Sequence, residues 1–388
     1  MPSHDAVRAR VVARIADVNE DDWNACAGAD NPFVRHRFLR CAEDSGSVGG
    51  RTGWTPHHVV LEDAGGHLVA AAPAYRKDNS NGEYVFDHGW AEAYERAGGK
   101  YYPKLLVAVP FTPVTGPRLL VRPGPDTVEM QCRLVDALLA ETERLRLSSL
   151  HVNFCTEAEL RLMTARGLSA RAGEQFHWSN RCYDTFDAFL ADLASRKRKA
   201  VKKERQEALA GGAIRIETLS GTAITAAHWD AFFAFYMDTG SRKWGRPYLN
   251  RKFFHLLGER MADDVVLVMA FKDGAAIAGA LNLRGTDCLY GRYWGCTEYQ
   301  RSLHFEVCYY RAIDYAIEHK LARVEAGAQG PHKLARGYLP VRTNSAHWIA
   351  DPAFRPAVEA YLLQERAHVE AEMEELAEHS PFRHGEDE

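Results

Sequence analysis

YGRYWGCTEYQRSLHFEVCYYRAIDYAIEHKLARVEAGAQGPHKLARGYLPVRTNSAHW, residues 290–348, carries a strand, a helix and two further strands in succession. Residues 290–294 read as a strand, 305–319 as an amphipathic helix, 323–326 as a short buried strand and 344–350 as a further strand. Between the last two, Gly327-Ala328-Gln329-Gly330-Pro331-His332-Lys333 is too polar and glycine-rich to form a core element. Ionisable residues therefore collect where strands and helix end, the usual place for binding and chemistry.

Working outward, the pattern predicts two similar halves. In the first, a strand over 11–15 is followed by a helix over 32–43 and strands over 55–61, 68–76, 84–86 and 102–108. A long helix over 125–145 and a strand over 149–154 complete that half. The second half starts after Arg181 with a helix over 185–209, a strand over 214–218 and a helix over 227–239. Residues 251–261 and a hairpin over 265–271 and 276–284 follow, with Asp273-Gly274 supplying the hairpin-turn chemistry. The expected domains are 1–180 and 181–376, the second carrying a basic helix over 186–209, and the tail 377–388 is expected to fray.

Composition narrows the function classes. The 388 residues, 46% hydrophobic and 26% charged, suit a soluble globular chain long enough for two cores. A formal net charge of −4 gives no global attraction to polyanions, so any such contact needs a local patch. The longest apolar runs are strand-length, far below the roughly 20 residues that span a bilayer, so no integral membrane association is expected. Eight cysteines without a Cys-x-x-Cys pair read as reduced thiols, and with no secretory leader visible the expected location is cytoplasmic. Metal chemistry is not expected, because no His-x-x-x-His or Cys-x-x-Cys ligand spacing is present. A Gly-x-Ser-x-Gly nucleophile elbow is missing as well.

The motifs LHFEVCYYRAIDYAIEHKLARVEAGAQGPHKLARGYLPVRTNSAHW from Leu303, NPFVRHRFL from Asn31 and GEYVFDHGWAEAY from Gly82 resemble those of the FemAB-like bacterial N-acyltransferases. YYPKLLVAVPFTPVTGPRLL from Tyr101 and DTGSRKWGRPYLN from Asp238 extend the resemblance through most of the chain. It implies an α/β (α+β) fold of two tandem Gcn5-related acyltransferase (GNAT) units. It also implies acyl or aminoacyl transfer to an amine, within a family associated with peptidoglycan biosynthesis. The spacing of Glu325, His332 and Gly337 is similar to that in leucyl/phenylalanyl-tRNA-protein transferases, which implies aminoacyl-tRNA as a possible donor. One departure stands out. Standard acetyl-CoA enzymes of this fold place Arg/Gln-x-x-Gly-x-Gly/Ala before the central helix for pyrophosphate. Here Tyr299-Gln300-Arg301-Ser302-Leu303-His304 stands in that place.

N-acyl transfer needs a base for the amine and donors for the oxyanion. Glu306, in the first helical turn, and Glu325, on the short strand, are the candidate bases. Equally open are a dipole-stabilising role for Glu306 and an ion-pair role for Glu325. Gln329 can position a carbonyl, His332 can shuttle a proton and Lys333 can meet phosphate or carboxylate. Arg336 and Tyr338 extend that wall. Arg292, Trp294, His304, Tyr310 and His347 are further substrate-binding candidates, each with core packing as the alternative. In the first half Asp87, Trp90, Tyr102 and Lys104 are expected to face substrate. Seven Lys or Arg lie within 195–205, so Arg196, Lys197, Lys199 and Lys203 are candidate phosphate ligands, against a solvated helix face.

The resulting expectation is an N-acyltransferase taking an acyl or aminoacyl group from acyl-CoA or aminoacyl-tRNA, without metal. Its acceptor would be an amine of a small molecule, peptide or cell-wall precursor. The alternative is a catalytically silent protein of the same fold that binds a nucleotide-linked or peptide ligand.

Overall fold

The structure, a computed structural model, describes residues 7–209, 212–243, 247–327 and 330–383. Its contacts divide the chain into unit 1, Met1–Gly173 with Arg342–Glu370, and unit 2, Glu174–Val341 with Ala371–Glu388. The strands Ser169–Ser179 and Leu339–Ile349 each run from one unit's residues into the other's.

Unit 1 has a four-stranded sheet ordered Arg8–Val12, His58–Glu62, Leu68–Ala72, Leu120–Val121. A second run of strands is ordered Leu339–Ile349, Ser149–Cys155, Lys104–Val107, Ala74–Lys77, Trp54–Pro56. The helix Thr127–Arg144 sets Met130, Leu134, Val135 and Leu138 in one apolar core with Leu105, Val107, Leu150, Val152 and Ala346. Because side chains alternate along a strand, the opposite face of the second run carries Lys77, Lys104, His151 and His347; Lys77 lies beside Lys104 and His151 beside His347 in register. A bulge interrupts this alternation. Asn344 faces Cys155 and Ala346 faces Val152, so Asn153 and Phe154 together oppose Ser345. Phe154 takes a φ of 57° there, and Cys155 returns to the core side.

Unit 2 orders its strands Ile214–Ser220, Val265–Lys272, Ala275–Arg284, Cys288–Cys296, Arg323–Glu325, Ser169–Ser179. The predicted hairpin turns through Asp273 and Gly274 at φ of 51° and 80°, the positive values a tight turn requires. Phe176, Trp178, Leu289 and Val324 pack with Tyr309, Ile313 and Ala316 of the following helical segment as the main core. No helix among the described residues is long and apolar enough to cross a membrane.

Several elements differ from the sequence expectation for local reasons. The helix expected over 185–209 is two helices, Phe186–Asp192 and Ser195–Ala208. At the break Leu193 bridges to Phe382 and the Ala194 N–H donates to the Pro381 carbonyl at 2.9 Å. The last helix runs Arg355–Glu378 and Phe382 is buried, while residues 384–388 of the tail expected to fray lie outside the described residues. The helix expected over 305–319 contains a π segment, Glu306–Tyr310, before Arg311–Glu318. Residues 84–86 form no strand and lead instead into the helix His88–Arg96.

Candidate active site

In unit 2 the parallel strands Cys288–Cys296 and Arg323–Glu325 pair only at Cys288 with Arg323, Leu289 with Val324 and Tyr290 with Glu325. The first strand continues past this point while the second ends. A bulge falls at the same place. Asn282 faces Gly291 and Leu281 faces Tyr293, leaving Arg292 as the extra residue. Bulges re-aim side chains in this way beside functional sites, and Arg292 turns onto Glu325, its Nη2 lying 3.3 Å from Oε2. Both side chains are 1% exposed. Arg323 approaches the other carboxylate oxygen at 3.6 Å. Across the antiparallel pairing, His177 is the register partner of Glu325, and its Nε2 lies 3.3 Å from the amide oxygen of Gln175. Burial lowers the His177 pKa, with Glu325 opposing and Arg292, Arg323 and Lys333 reinforcing.

Lys333 joins this group from the 3-10 helix Pro331–Arg336. It is 2% exposed and donates to the Gly327 carbonyl at 2.8 Å. Burial, and then the nearby Arg292 guanidinium, push its pKa down to about 7. Such a lysine exists near neutrality as both amine and ammonium, the condition a general base needs. Gln329 lies outside the described residues. His332 is exposed, with Nε2 3.0 Å from the Tyr309 hydroxyl, in a cluster of rings with His304 and Phe305. Trp294 reaches the same cluster, its ring centroid 5.1 Å from that of His304.

Glu306 sits elsewhere, inside an ion-pair network. Arg205 contacts both its oxygens at 3.0 Å and Arg311 adds a third bond at 2.8 Å. Arg205 also reaches Asp314 at 2.6 Å. A carboxylate 1% exposed and held by two guanidiniums is suited to fixing the π segment rather than to taking a proton. Glu306→Ala is expected to cost about 3–5 kcal/mol, the scale for breaking a buried pair, measurable as a lower urea midpoint. Tyr310 donates to Glu204, and Tyr338, 0% exposed, donates to the Tyr309 carbonyl at 3.2 Å. Both pack in the core.

The basic helix contributes a groove of about 300 Å³ lined by Arg196, Lys197, Ala200, Val201, Glu204, Ala335 and Arg336. Arg196 and Lys197 lie in the first turn, whose N-cap Ala194 makes no side-chain capping bond, so helix-terminal N–H groups and cations favour an anion together. Arg336 forks onto Glu204 at 2.7 and 3.1 Å and stacks 3.4 Å over Phe305. Lys199 and Lys203 do not line the groove; both are exposed, and Lys203 lies 3.8 Å from Glu207.

In unit 1 the candidates form a separate buried network. Lys104, 0% exposed, donates to Asp87 at 2.5 Å, to Glu83 at 2.8 Å and to Ser80 at 2.8 Å. Tyr101 donates to Asp87 at 2.6 Å, and the Tyr102 hydroxyl meets Ser80 at 2.7 Å. His151 and His347 face each other with Nδ1 atoms 2.6 Å apart, and Trp90 lies against both rings. Although burial pushes Asp87 up, Lys104 and His151 hold it far below the usual carboxylate range. Burial raises Glu83 to about 7 and lowers Lys77 to about 7 and His151 to about 3. Among these partners Lys77, Glu83 and His151 were missing from the sequence candidates.

A family profile, FemAB-like, described as peptidoglycan biosynthesis/recognition, matches residues 14–384. The chain belongs to the FemAB-like family. A search among curated proteins finds no match to it. FemX is similar in structure, with 11% identity and a TM-score of 0.56 over 88% of this chain and 98% of that one. The C-terminal DUF2156 domain of a candidate lysylphosphatidylglycerol synthetase from Agrobacterium fabrum has 10% identity and a TM-score of 0.54, covering 89% and 97%. L-PGS from Bacillus licheniformis has 8% identity and a TM-score of 0.50, covering 87% and 97%. At such identities the likeness concerns the fold, a mixed α/β arrangement shared with FemX over most of the chain. Among the described residues no cluster of His, Cys, Asp and Glu is arranged to hold a metal ion.

Proposed function

We propose that this FemAB-like protein is an N-acyltransferase whose unit 2 holds a phosphate-bearing acyl donor, either acyl-CoA or aminoacyl-tRNA. The acceptor is an amine of a small molecule, a peptide or a cell-wall precursor. The observation that carries this reading is Lys333, a buried lysine with a pKa of about 7 beside Arg292 and bonded to the Gly327 carbonyl just past the short strand. The amine nitrogen attacks the donor carbonyl carbon and its proton passes, directly or through water, to neutral Lys333. The new ammonium then faces the oxyanion, whose charge offsets the desolvation and the Arg292 repulsion that had depressed the lysine. Collapse of the intermediate breaks the donor C–S or C–O bond, and Lys333 returns the proton to the leaving group.

Glu325, tied to Arg292 and Arg323, orients those guanidiniums in this scheme. His332 with Tyr309, and Arg196, Lys197 and Arg336 in the groove, bind the donor. The product named for the Agrobacterium neighbour, an aminoacylated lipid, supports the aminoacyl arm. The missing glycine loop at 299–304 weighs in the same direction, because the standard pyrophosphate cradle is absent.

The test incubates the protein with acyl-CoA or aminoacyl-tRNA donors and amine acceptors, with products followed by mass spectrometry. Donor binding without turnover by any pair would instead support the silent binding protein. Replacing both Arg196 and Lys197 by Gln is expected to weaken binding of a labelled RNA acceptor stem or of CoA about tenfold. The log–log salt slope should fall by about 1 for each phosphate that the protein no longer neutralises, as read by fluorescence anisotropy or calorimetry.

A further inference from the structure

The non-core face of the unit 1 sheet holds more buried polar atoms than it satisfies. Asn153, 1% exposed, has neither its Nδ2 nor its Oδ1 hydrogen-bonded. His347 Nε2, Thr112 Oγ1 and Glu83 Oε1 are likewise buried without a hydrogen-bond partner. Asn153 shares the His151 face by alternation and stands beside the bulge opposite Ser345, where Phe154 adopts its positive φ. The segment carrying Thr112 is fastened over the same strand by the Gly116 N–H to the Phe154 carbonyl at 3.1 Å. The Arg118 Nε to the Asn153 carbonyl at 2.9 Å is a second tie. Trp90 covers the two histidines. An asparagine buried with all its hydrogen-bonding capacity unused is a costly arrangement that native proteins rarely keep without a partner.

We infer that this face is a second ligand site, which takes an uncharged amide group. The charged members already compensate one another: Lys104 is bonded to Asp87 and Glu83, and Lys77 lies 3.8 Å from Glu83. A charged ligand would therefore bring an unpaired charge into the interior. The amide, hydroxyl and imidazole groups left over are neutral dipoles. Asn153 offers a coplanar donor and acceptor, which a peptide or N-acyl amide matches with its own C=O and N–H. Peptides and N-acetylated amino sugars both carry that group. Amide binding at this site is independent of the transfer chemistry of unit 2, because it is measured without turnover.

The experiment titrates full-length protein with N-acetylglycinamide and, separately, with N-acetylglucosamine, following saturation-transfer NMR and melting temperature. Asn153→Leu keeps the branched four-atom side-chain shape and removes both polar atoms. It is expected to hold or raise the melting temperature while weakening the response at least tenfold. Response to the first probe alone marks a peptide amide, and to the second alone an amido sugar. If Asn153→Leu fails to fold, Thr112→Val carries the same comparison. A wild-type protein that responds to neither probe, or a folded variant that binds them as well as wild type, overturns the inference.

Discussion

Lys333→Arg is expected to lower the turnover number by about 10²–10⁴-fold, the range for losing a general base, with a much smaller change in donor binding. Arginine keeps the positive charge but cannot release its proton near neutrality, so a purely electrostatic role would survive the exchange and a proton-accepting role would not. The wild-type rate should rise with pH through about 7, where Lys333 loses its proton, and level off above. Stability has its own pH dependence. The Lys333 pKa is lowered in the folded state from 10.5 to about 7. Between those values the unfolded chain binds a proton that the folded chain does not, so stability rises with pH across that window. Below it the folded protein must carry a buried ammonium. Lys333→Met removes that burden and should melt higher than wild type at or below neutral pH while remaining inactive. Retention of more than a third of the wild-type rate by Lys333→Arg would remove the lysine from the proton transfer.

Lys104→Met should be the most destabilising change in unit 1. It leaves Asp87 and Glu83, 2% and 3% exposed, without the ammonium that bridges them. Breaking such a buried arrangement from one side costs about 3–5 kcal/mol. Glu83 is raised to about 7 by burial even with Lys104 present, and Asp87 stays low chiefly through Lys104, with His151 and the Ser80 hydrogen bond adding to it. In the variant both carboxyls move up, so the folded state binds protons that the unfolded state has released. The deficit should be greatest above neutral pH and shrink as pH falls and both groups protonate. Urea denaturation of the variant and wild type at several pH values measures this directly. A deficit independent of pH would mean that lost packing, and not unpaired charge, dominates.

The fold was legible because its signals are local. The Asp273-Gly274 turn, the apolar helix now seen as Thr127–Arg144 and the strand Val265–Lys272 each carry their own periodicity or turn chemistry. What escaped was governed by long-range contacts. Ser169–Ser179 reads SARAGEQFHWS, and its apolar signal is diluted because Gln175 and His177 are buried polar residues. The break before Ser195 follows from Phe382, which arrives almost two hundred residues later in the chain. The π segment accommodates Glu306 within an arginine cage built from Arg205 and Arg311.

Site chemistry was partly visible in the same way. Glu325, Arg292, His332 and Lys333 stand at predicted element ends, and the structure brings Glu325, Arg292 and Lys333 together. Nothing in the sequence singles out Lys333 over Glu306, since a depressed lysine pKa and a caged carboxylate both come from burial and neighbours distant in sequence. Asn153 and His151 share a face by simple alternation in SLHVNFC. That the face is buried, and that Asn153 stays unpaired there, depends on the 111–118 segment and Trp90 closing over it.

A site-resolved titration tests, without any knowledge of the substrates, the proposal that Lys333 exchanges a proton near neutral pH. Folded protein is acylated with trace acetic anhydride over a range of pH, the denatured protein is labelled to completion with the heavy isotope, and the peptide containing Lys333 is quantified by mass spectrometry. The expected titration midpoint is near 7, moving upward in Arg292→Leu as the neighbouring charge is removed. A midpoint close to the ordinary lysine value of 10.5, unmoved by Arg292→Leu, would contradict it.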